Sequence, residues 1–276
     1  MSLIKSISGI RGTIGGVPDE NLTPIDAVKF AAAYGTWLKE NLNKANIKVV
    51  VGRDARISGE MIQNLVQYTL VGLGINVVDI GLSTTPTVEV AVTMEKADGG
   101  IILTASHNPK QWNALKLLNN KGEFLSAKEG ERILTIAQEN KVVFADVEDL
   151  GRISHDNTYI QKHIEAVLGL LTSSTIEAIR NCKFKVVVDA VNSTGGIAIP
   201  KLLEHFGVEV VCLYCEPNGH FPHNPEPLKE HLGDICKKVL EEKADFGIVV
   251  DPDVDRLAFI TEEGEMFGEE YTLELQ

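Results

Sequence analysis

One pattern occurs twice along this chain. Residues 48–51 (KVVV) are followed by a helical stretch near 59–73, then by 75–80 (INVVDI) and 97–103 (ADGGIIL). Residues 185–188 (KVVV) are followed by a helical stretch near 197–206, then by 208–213 (VEVVCL) and 244–250 (ADFGIVV). Short β-branched runs alternating with helix-length amphipathic segments are the mark of βαβ units around a largely parallel sheet. A pattern repeated this way predicts an α/β protein with two similarly βαβ-wound domains and largely parallel mixed sheets, not one continuous sheet.

The copies diverge where the last apolar strand ends. TASHNP (104–109) follows the first and DPDVDR (251–256) the second. Both segments leave carboxyl ends of strands, where open α/β sheets bind their ligands, so both are expected to face one cleft. A boundary is expected near 151–155, after a last apolar strand at 142–144 and before a helix at 158–171. This gives domains over 1–152 and 153–257, with 258–276 left over.

The length of 276 residues, 44% hydrophobic and 24% charged, accommodates two domains of ordinary size. A net charge of −13 would repel nucleic acid and anionic membranes at long range, so neither is expected as a partner. Cys182, Cys212, Cys215 and Cys236 are too few for a disulfide scaffold, and a reducing cytoplasm is expected. No apolar run has the length of a signal peptide core followed by a cleavage site, or of a membrane span.

Asp251, Asp253 and Asp255 alternate along a loop, which turns their carboxylates toward one point and leaves them repelling unless a cation sits there. Oxygen-only ligands favour Mg²⁺ or Ca²⁺. An EF-hand is the rival, since Glu262 falls at its twelfth position, but Arg256 stands where its glycine is required and a strand precedes where a helix should. A solvated acidic turn is the plainer alternative. Three carboxylates do not complete a Mg²⁺ shell, so water or phosphate must supply the rest.

Ser106 directly follows the apolar strand and precedes Asn108 and Pro109, which end regular structure and present it on a turn. A serine-hydrolase triad is the first alternative, but the GxSxG elbow is missing and the ring of the adjacent His107 is expected to point away from the hydroxyl. A phosphoryl acceptor fits better, because a phosphorylated Ser106 would offer the oxygen that the three aspartates lack. Cys212, Cys215, His220 and His223 imitate a zinc string, yet a knuckle's fourth ligand would fall at Pro225 and Cys212 lies within an apolar strand, which suggests burial or chance.

SGIRG (8–12), GRDAR (52–56), TASHNP, NALK (113–116) and DPDVDR together resemble the α-D-phosphohexomutase family, the phosphoglucomutases, phosphomannomutases and phosphoglucosamine mutases, over most of residues 3–268. The resemblance implies a Mg²⁺-dependent isomerase whose phosphorylated Ser106 donates its phosphate to a sugar monophosphate. The hexose 1,6-bisphosphate so formed, which also serves as activator, turns over and returns its other phosphate. It further implies that Asp251, Asp253, Asp255 and the Ser106 phosphate hold the metal, and that Arg11 and Arg256 lie near the reacting phosphate. Lys116 matches the family's general acid or base, and His107 a residue that positions substrate or relays a proton.

Arg53 and Arg56 are balanced between site and scaffold and are left off the catalytic set. Pro252 and Val254 replace commoner small residues but are not ligands. Family members usually have four domains; here 258–276 is expected to open a third and to be cut short, leaving a fragment with little turnover. A glucosamine phosphate is the favoured substrate, with mannose and glucose phosphates as alternatives. A metal- and phosphate-binding module without catalysis is the reading from another class.

Overall fold

The repeat seen in the sequence is a repeat of topology. The computed structural model describes residues 2–6, 9–42, 44–139 and 141–268. It divides into two compact units, the first made of Met1–Arg53, Ser58–Ala105 and Gln111–Tyr159, the second of Asp54–Ile57, Ser106–Lys110 and Ile160–Gln276.

The first unit runs β1 (Ile4–Ser6), β2 (Gly9–Thr13), α1 (Pro24–Asn41), β3 (Lys48–Arg53), α2 (Gly59–Gly72), β4 (Asn76–Leu82), α3 (Thr85–Met94), β5 (Gly99–Leu103), β6 (Trp112–Leu118), α4 (Ala127–Glu139) and β7 (Ile153–His155). These strands form a seven-stranded sheet in the order β1-β2-β6-β5-β3-β4-β7. β3 pairs in parallel with β4 and β5, and β4 with β7, whereas β6, β2 and β1 are antiparallel to their neighbours.

The chain continues through α5 (Tyr159–Leu168), α6 (Ser173–Cys182), β8 (Lys185–Asp189), α7 (Gly195–His205), β9 (Glu209–Leu213), α8 (Gly233–Glu242), β10 (Phe246–Val250), β11 (Leu257–Thr261) and β12 (Met266–Phe267). The second sheet has five strands in the order β12-β11-β10-β8-β9. Its β9-β8-β10-β11 portion has the same sequence of parallel, parallel and antiparallel pairings as β4-β3-β5-β6.

Alternation along the strands explains why helices cover both faces of each sheet. Val49 and Val51 of β3 join a core with Phe30 and Leu38 of α1, Ile62 and Val66 of α2 and Ile133 of α4. Val50, between them, faces the opposite core with Val88, Ala91 and Val92 of α3. In the second sheet Val187 and Val249 pack with Ile235 and Val239 of α8, while Val186, Val188 and Val250 pack with Ile199 and Leu203 of α7. Helix starts follow local chemistry: α1 begins on a Thr23–Asp26 capping box with Pro24 in its first turn, and Thr84 caps α3 through the backbone N–H of Thr87.

Three expectations need correction. Residues 142–144 form no strand: Val143 and Phe144 are exposed, because the open edge of β4 is taken by β7. That pairing keeps 153–159 with the first unit, so the division falls after Tyr159 and not after residue 152. β11 pairs onto β10 and β12 onto β11, so 257–267 belong to the second sheet and do not open a third domain; residues 269–276 lie outside those described. Among the described residues no helix is long and apolar enough to cross a membrane, and all four cysteines are free.

Candidate active site and metal centre

The aspartate loop grows out of a buried strand. After β10, Asp251 is fully buried, and its Oδ1 accepts the backbone N–H groups of both Asp255 and Arg256 at 3.1 Å, so the loop wraps around its own first carboxylate. Val254 takes a left-handed φ of 61° to close that turn, a conformation uncommon for a β-branched residue. From the other side, Pro252 O accepts the hydroxyls of Ser193 at 2.7 Å and Thr194 at 2.9 Å.

This anchoring brings one carboxylate oxygen from each of Asp251, Asp253 and Asp255 within 4.8 Å of one another, with Asp251 and Asp253 buried and Asp255 exposed. Burial, and then the charges of Asp253 and Asp255, hold the Asp251 carboxyl well above the usual carboxylate range. A convergent all-oxygen donor set under mutual repulsion is what a hard divalent cation fits.

Ser106 sits on the loop that leaves the first sheet between β5 and β6 and is grouped with the second unit. Its φ of 49° is left-handed, a conformation that costs a non-glycine residue on the order of 1–3 kcal/mol and turns the side chain toward the aspartates. Ser106 Oγ donates to Asp251 Oδ2 at 2.8 Å and lies 3.4 Å from Asp255 Oδ1. The same twist places His107 Nδ1 3.4 Å from the hydroxyl, contrary to the expectation that the ring points away.

The serine loop is fixed by a residue left off the expected set. Arg56 is fully buried and donates to the carbonyls of Ser106, Asn108 and Pro109. Its motif, GRDAR, holds two arginines, and nothing in their spacing says which turns inward; Arg53 is instead bonded to Gln63 in the first unit.

Arg256, expected near a phosphate, forms a half-exposed pair with Glu226 at 2.8 Å, a contact of small energetic weight. Arg11 and Lys116 belong to the first unit. Arg11 on β2 is opposite Ala114 on β6, and Lys116 is two residues further along β6, so the two cations share one face of the sheet. The Arg11 Nε is buried with no hydrogen-bond partner, and Lys116 Nζ lies 5.8 Å from the Phe124 ring.

The zinc string does not assemble. Among the described residues the three aspartates are the only cluster with metal-ligand geometry. Cys212 is exposed, so of burial and chance it is chance that accounts for its place in the string, and the Cys215 thiol donates to Val188 O at 3.4 Å. His223 Nε2 is 2.9 Å from the buried Asp189, while its Nδ1 is 2.8 Å from Asn224 O. Burial alone would lower its pKa, but the bond to Asp189, that carboxylate's charge and the Asn224 carbonyl outweigh it and raise the value. Stabilisation from this pair is therefore full below the ordinary histidine pKa of about 6.5 and is lost as pH rises through the higher folded value. The gap in Tm between the natural chain and His223→Gln should accordingly narrow as pH rises above about 6.5; a gap constant with pH would show that the pair contributes no charge-dependent stability.

Residues 4–143 match the family described as phosphoglucomutase/phosphomannomutase, alpha/beta/alpha domain I, and residues 159–264 match its domain II. A phosphoglucomutase/phosphomannomutase of Thermococcus kodakarensis is 36% identical over 96% of this chain and 58% of its own length. A probable phosphoglucosamine mutase of Methanopyrus kandleri is 34% identical over 97% of this chain and 56% of its own. The chain thus spans little more than half the length of these relatives. Among solved structures, a putative phosphomannomutase from Thermus thermophilus superposes with a TM-score of 0.83 at 27% identity, covering 99% of this chain and 60% of the other.

Proposed function

We propose, for a chain that belongs to the phosphoglucomutase/phosphomannomutase family, that Ser106 carries a phosphoryl group beside a Mg²⁺ site formed by Asp251, Asp253 and Asp255. The observation that carries this reading is the Ser106 hydroxyl at 2.8 Å from Asp251, where three carboxylates converge. When bound, the cation would offset the charge of these carboxylates and of the phosphate and would polarise the transferring group.

The protein's own groups account for the remaining roles. Phosphoserine at 106 gives its phosphoryl group to a hydroxyl of a sugar monophosphate: the Ser106 Oγ–P bond breaks, a sugar O–P bond forms, and the hydroxyl proton leaves to a base. Reversal at the other end of the hexose 1,6-bisphosphate restores phosphoserine and yields the isomeric monophosphate, with no net phosphate consumed. The unpartnered Arg11 Nε suits a phosphate oxygen, and Lys116 on the same sheet face suits proton transfer to or from the sugar. His107, 3.4 Å from the serine, suits a positioning or relay role.

Relatives named probable phosphoglucosamine mutase, at 34% identity, favour a hexosamine phosphate as substrate. The Thermococcus relative, at 36%, supports mannose or glucose phosphate as the second reading. The free cysteines suit a reducing cytoplasm.

Intact mass before and after incubation with a hexose 1,6-bisphosphate and Mg²⁺ tests the proposal. The expected result is one added phosphate, mapped to Ser106, that glucosamine 6-phosphate removes faster than mannose or glucose 6-phosphate does. No phosphate on Ser106, in this chain and in a version extended to the length of the relatives, would overturn the phosphoserine reading.

A further inference from the structure

We propose that the segment Asp54–Ile57 is a bracket, centred on Arg56, that sets the serine loop and the aspartate loop in register for reaction; this rests on the reading of Ser106 as phosphoryl carrier. Arg56 is fully buried, and both of its terminal nitrogens donate to a single loop. Nη1 donates to Pro109 O at 2.8 Å, and Nη2 to Asn108 O at 2.7 Å and to Ser106 O. Nε and the backbone N–H of Arg56 are held by the two carboxylate oxygens of Asp54, at 3.0 and 2.9 Å. The Phe221 ring lies 5.1 Å from the guanidinium carbon.

The Ser106 carbonyl and hydroxyl belong to the same twisted residue. Gripping the carbonyl therefore restrains the backbone of a residue whose left-handed φ accompanies the contact of Oγ with Asp251. A lysine could not reproduce this grip, since it lacks the planar fork that reaches three carbonyls at once.

The bracket has a second arm. Ala55 N–H donates to Ser193 Oγ at 3.3 Å, and the Ser193 hydroxyl donates to Pro252 O at 2.7 Å, inside the aspartate loop. Gly219 closes the bracket from outside: a Cβ there would lie 2.2 Å from Ala55 O. Adjacent residues of one short segment thus hold the nucleophile's loop directly and the metal loop through one hydroxyl. A buried ion pair is weak evidence of stability alone, so the carbonyl grip and not the Asp54–Arg56 pair is what assigns the role. Arg56 is a positioning residue, acting through the loop it holds.

Arg56→Lys, Arg56→Ala with and without free guanidinium, and Phe221→Leu test the bracket. The readouts are the rate of phosphate loading from hexose 1,6-bisphosphate and amide hydrogen exchange. Arg56→Lys should lower the maximal loading rate about 100-fold, as small displacements at a reacting centre do, while leaving the half-saturating bisphosphate concentration unchanged. Exchange should accelerate in residues 106–110 and not in β8 or β10. Guanidinium should restore part of the loss in Arg56→Ala, and Phe221→Leu, which keeps an apolar side chain, should show a smaller loss of the same kind even if the arginine variants fail to fold.

Loading at the natural rate with unchanged loop exchange overturns the proposal, as does exchange that accelerates equally throughout the chain. Should neither the natural chain nor its extended version ever load phosphate, the phosphoserine reading fails by itself. Loop-specific exchange then decides whether Arg56 holds the loop.

Discussion

Ser106→Ala is expected to abolish phosphate uptake outright. The mass of the variant should stay unchanged after incubation with hexose 1,6-bisphosphate under conditions in which the natural chain gains one phosphate. Loss should be complete and not graded, because the substitution removes the proposed acceptor oxygen itself, which lies 2.8 Å from Asp251. Mg²⁺ affinity should fall only modestly, since the three aspartates remain. The left-handed φ of 49° is still required of alanine, so the loop gains nothing by relaxing. Phosphate found on the variant would show that another residue is the acceptor.

Asp253→Asn carries the second large effect. Asp253 is fully buried, and its carboxylate is one of three that converge within 4.8 Å. Outer partners of a metal ligand typically change affinity 10–100-fold, so losing a ligand charge should weaken Mg²⁺ by at least about 100-fold, as read by titration calorimetry. Thermal unfolding gives an independent check. At about 100 times its Kd, Mg²⁺ should stabilise the natural chain by about 2.7 kcal/mol, and at the same concentration this shift should fall to about 0.4 kcal/mol or less in the variant. Without metal, Asp253→Asn should unfold no earlier than the natural chain, because the repulsion that raises the Asp251 pKa is reduced. An unaltered Mg²⁺-induced shift would remove Asp253 from the ligand set.

Much of the fold was legible because the repeat is written in strand-forming residues. KVVV, the second β-branched run and the Ala-Asp-led run became β3, β4 and β5 in one unit and β8, β9 and β10 in the other. Alternation of burial along them, as at Val49, Val50 and Val51, needs no information beyond the local pattern. The serine and the three aspartates were legible for a related reason: polar residues directly after an apolar strand have few places to go.

What was hidden depends on pairing across long separations. Residues 142–144 (VVF) are more apolar than 153–155 (ISH), yet it is 153–155 that pairs with β4. The helpers of the site were hidden too. Arg56 acts on carbonyls more than fifty positions away, and Ser193 on Pro252, 59 positions away. Yet the repeat held a clue, since Asp54–Arg56 follows β3 just as Ser193 and Thr194 follow β8. In each copy the turn after the central strand supports a loop that carries the chemistry.

Those two loops are also the tips of antiparallel pairs. One connects β5 to β6, with Leu103 opposite Leu115, and the other connects β10 to β11, with Val250 opposite Leu257. Each tip is clamped at both ends by a ladder whose side chains alternate between the core and the other face. A residue inserted within a flanking strand would turn every later side chain to the wrong face, and one inserted at the tip would change which carboxylates converge. Evolution at these loops is therefore confined to exchanging residues at constant length. Pro252 and Val254, whose side chains are not among the converging carboxylates, are positions where exchange of that kind is open, whereas gains and losses of residues should accumulate at the far ends of the sheets.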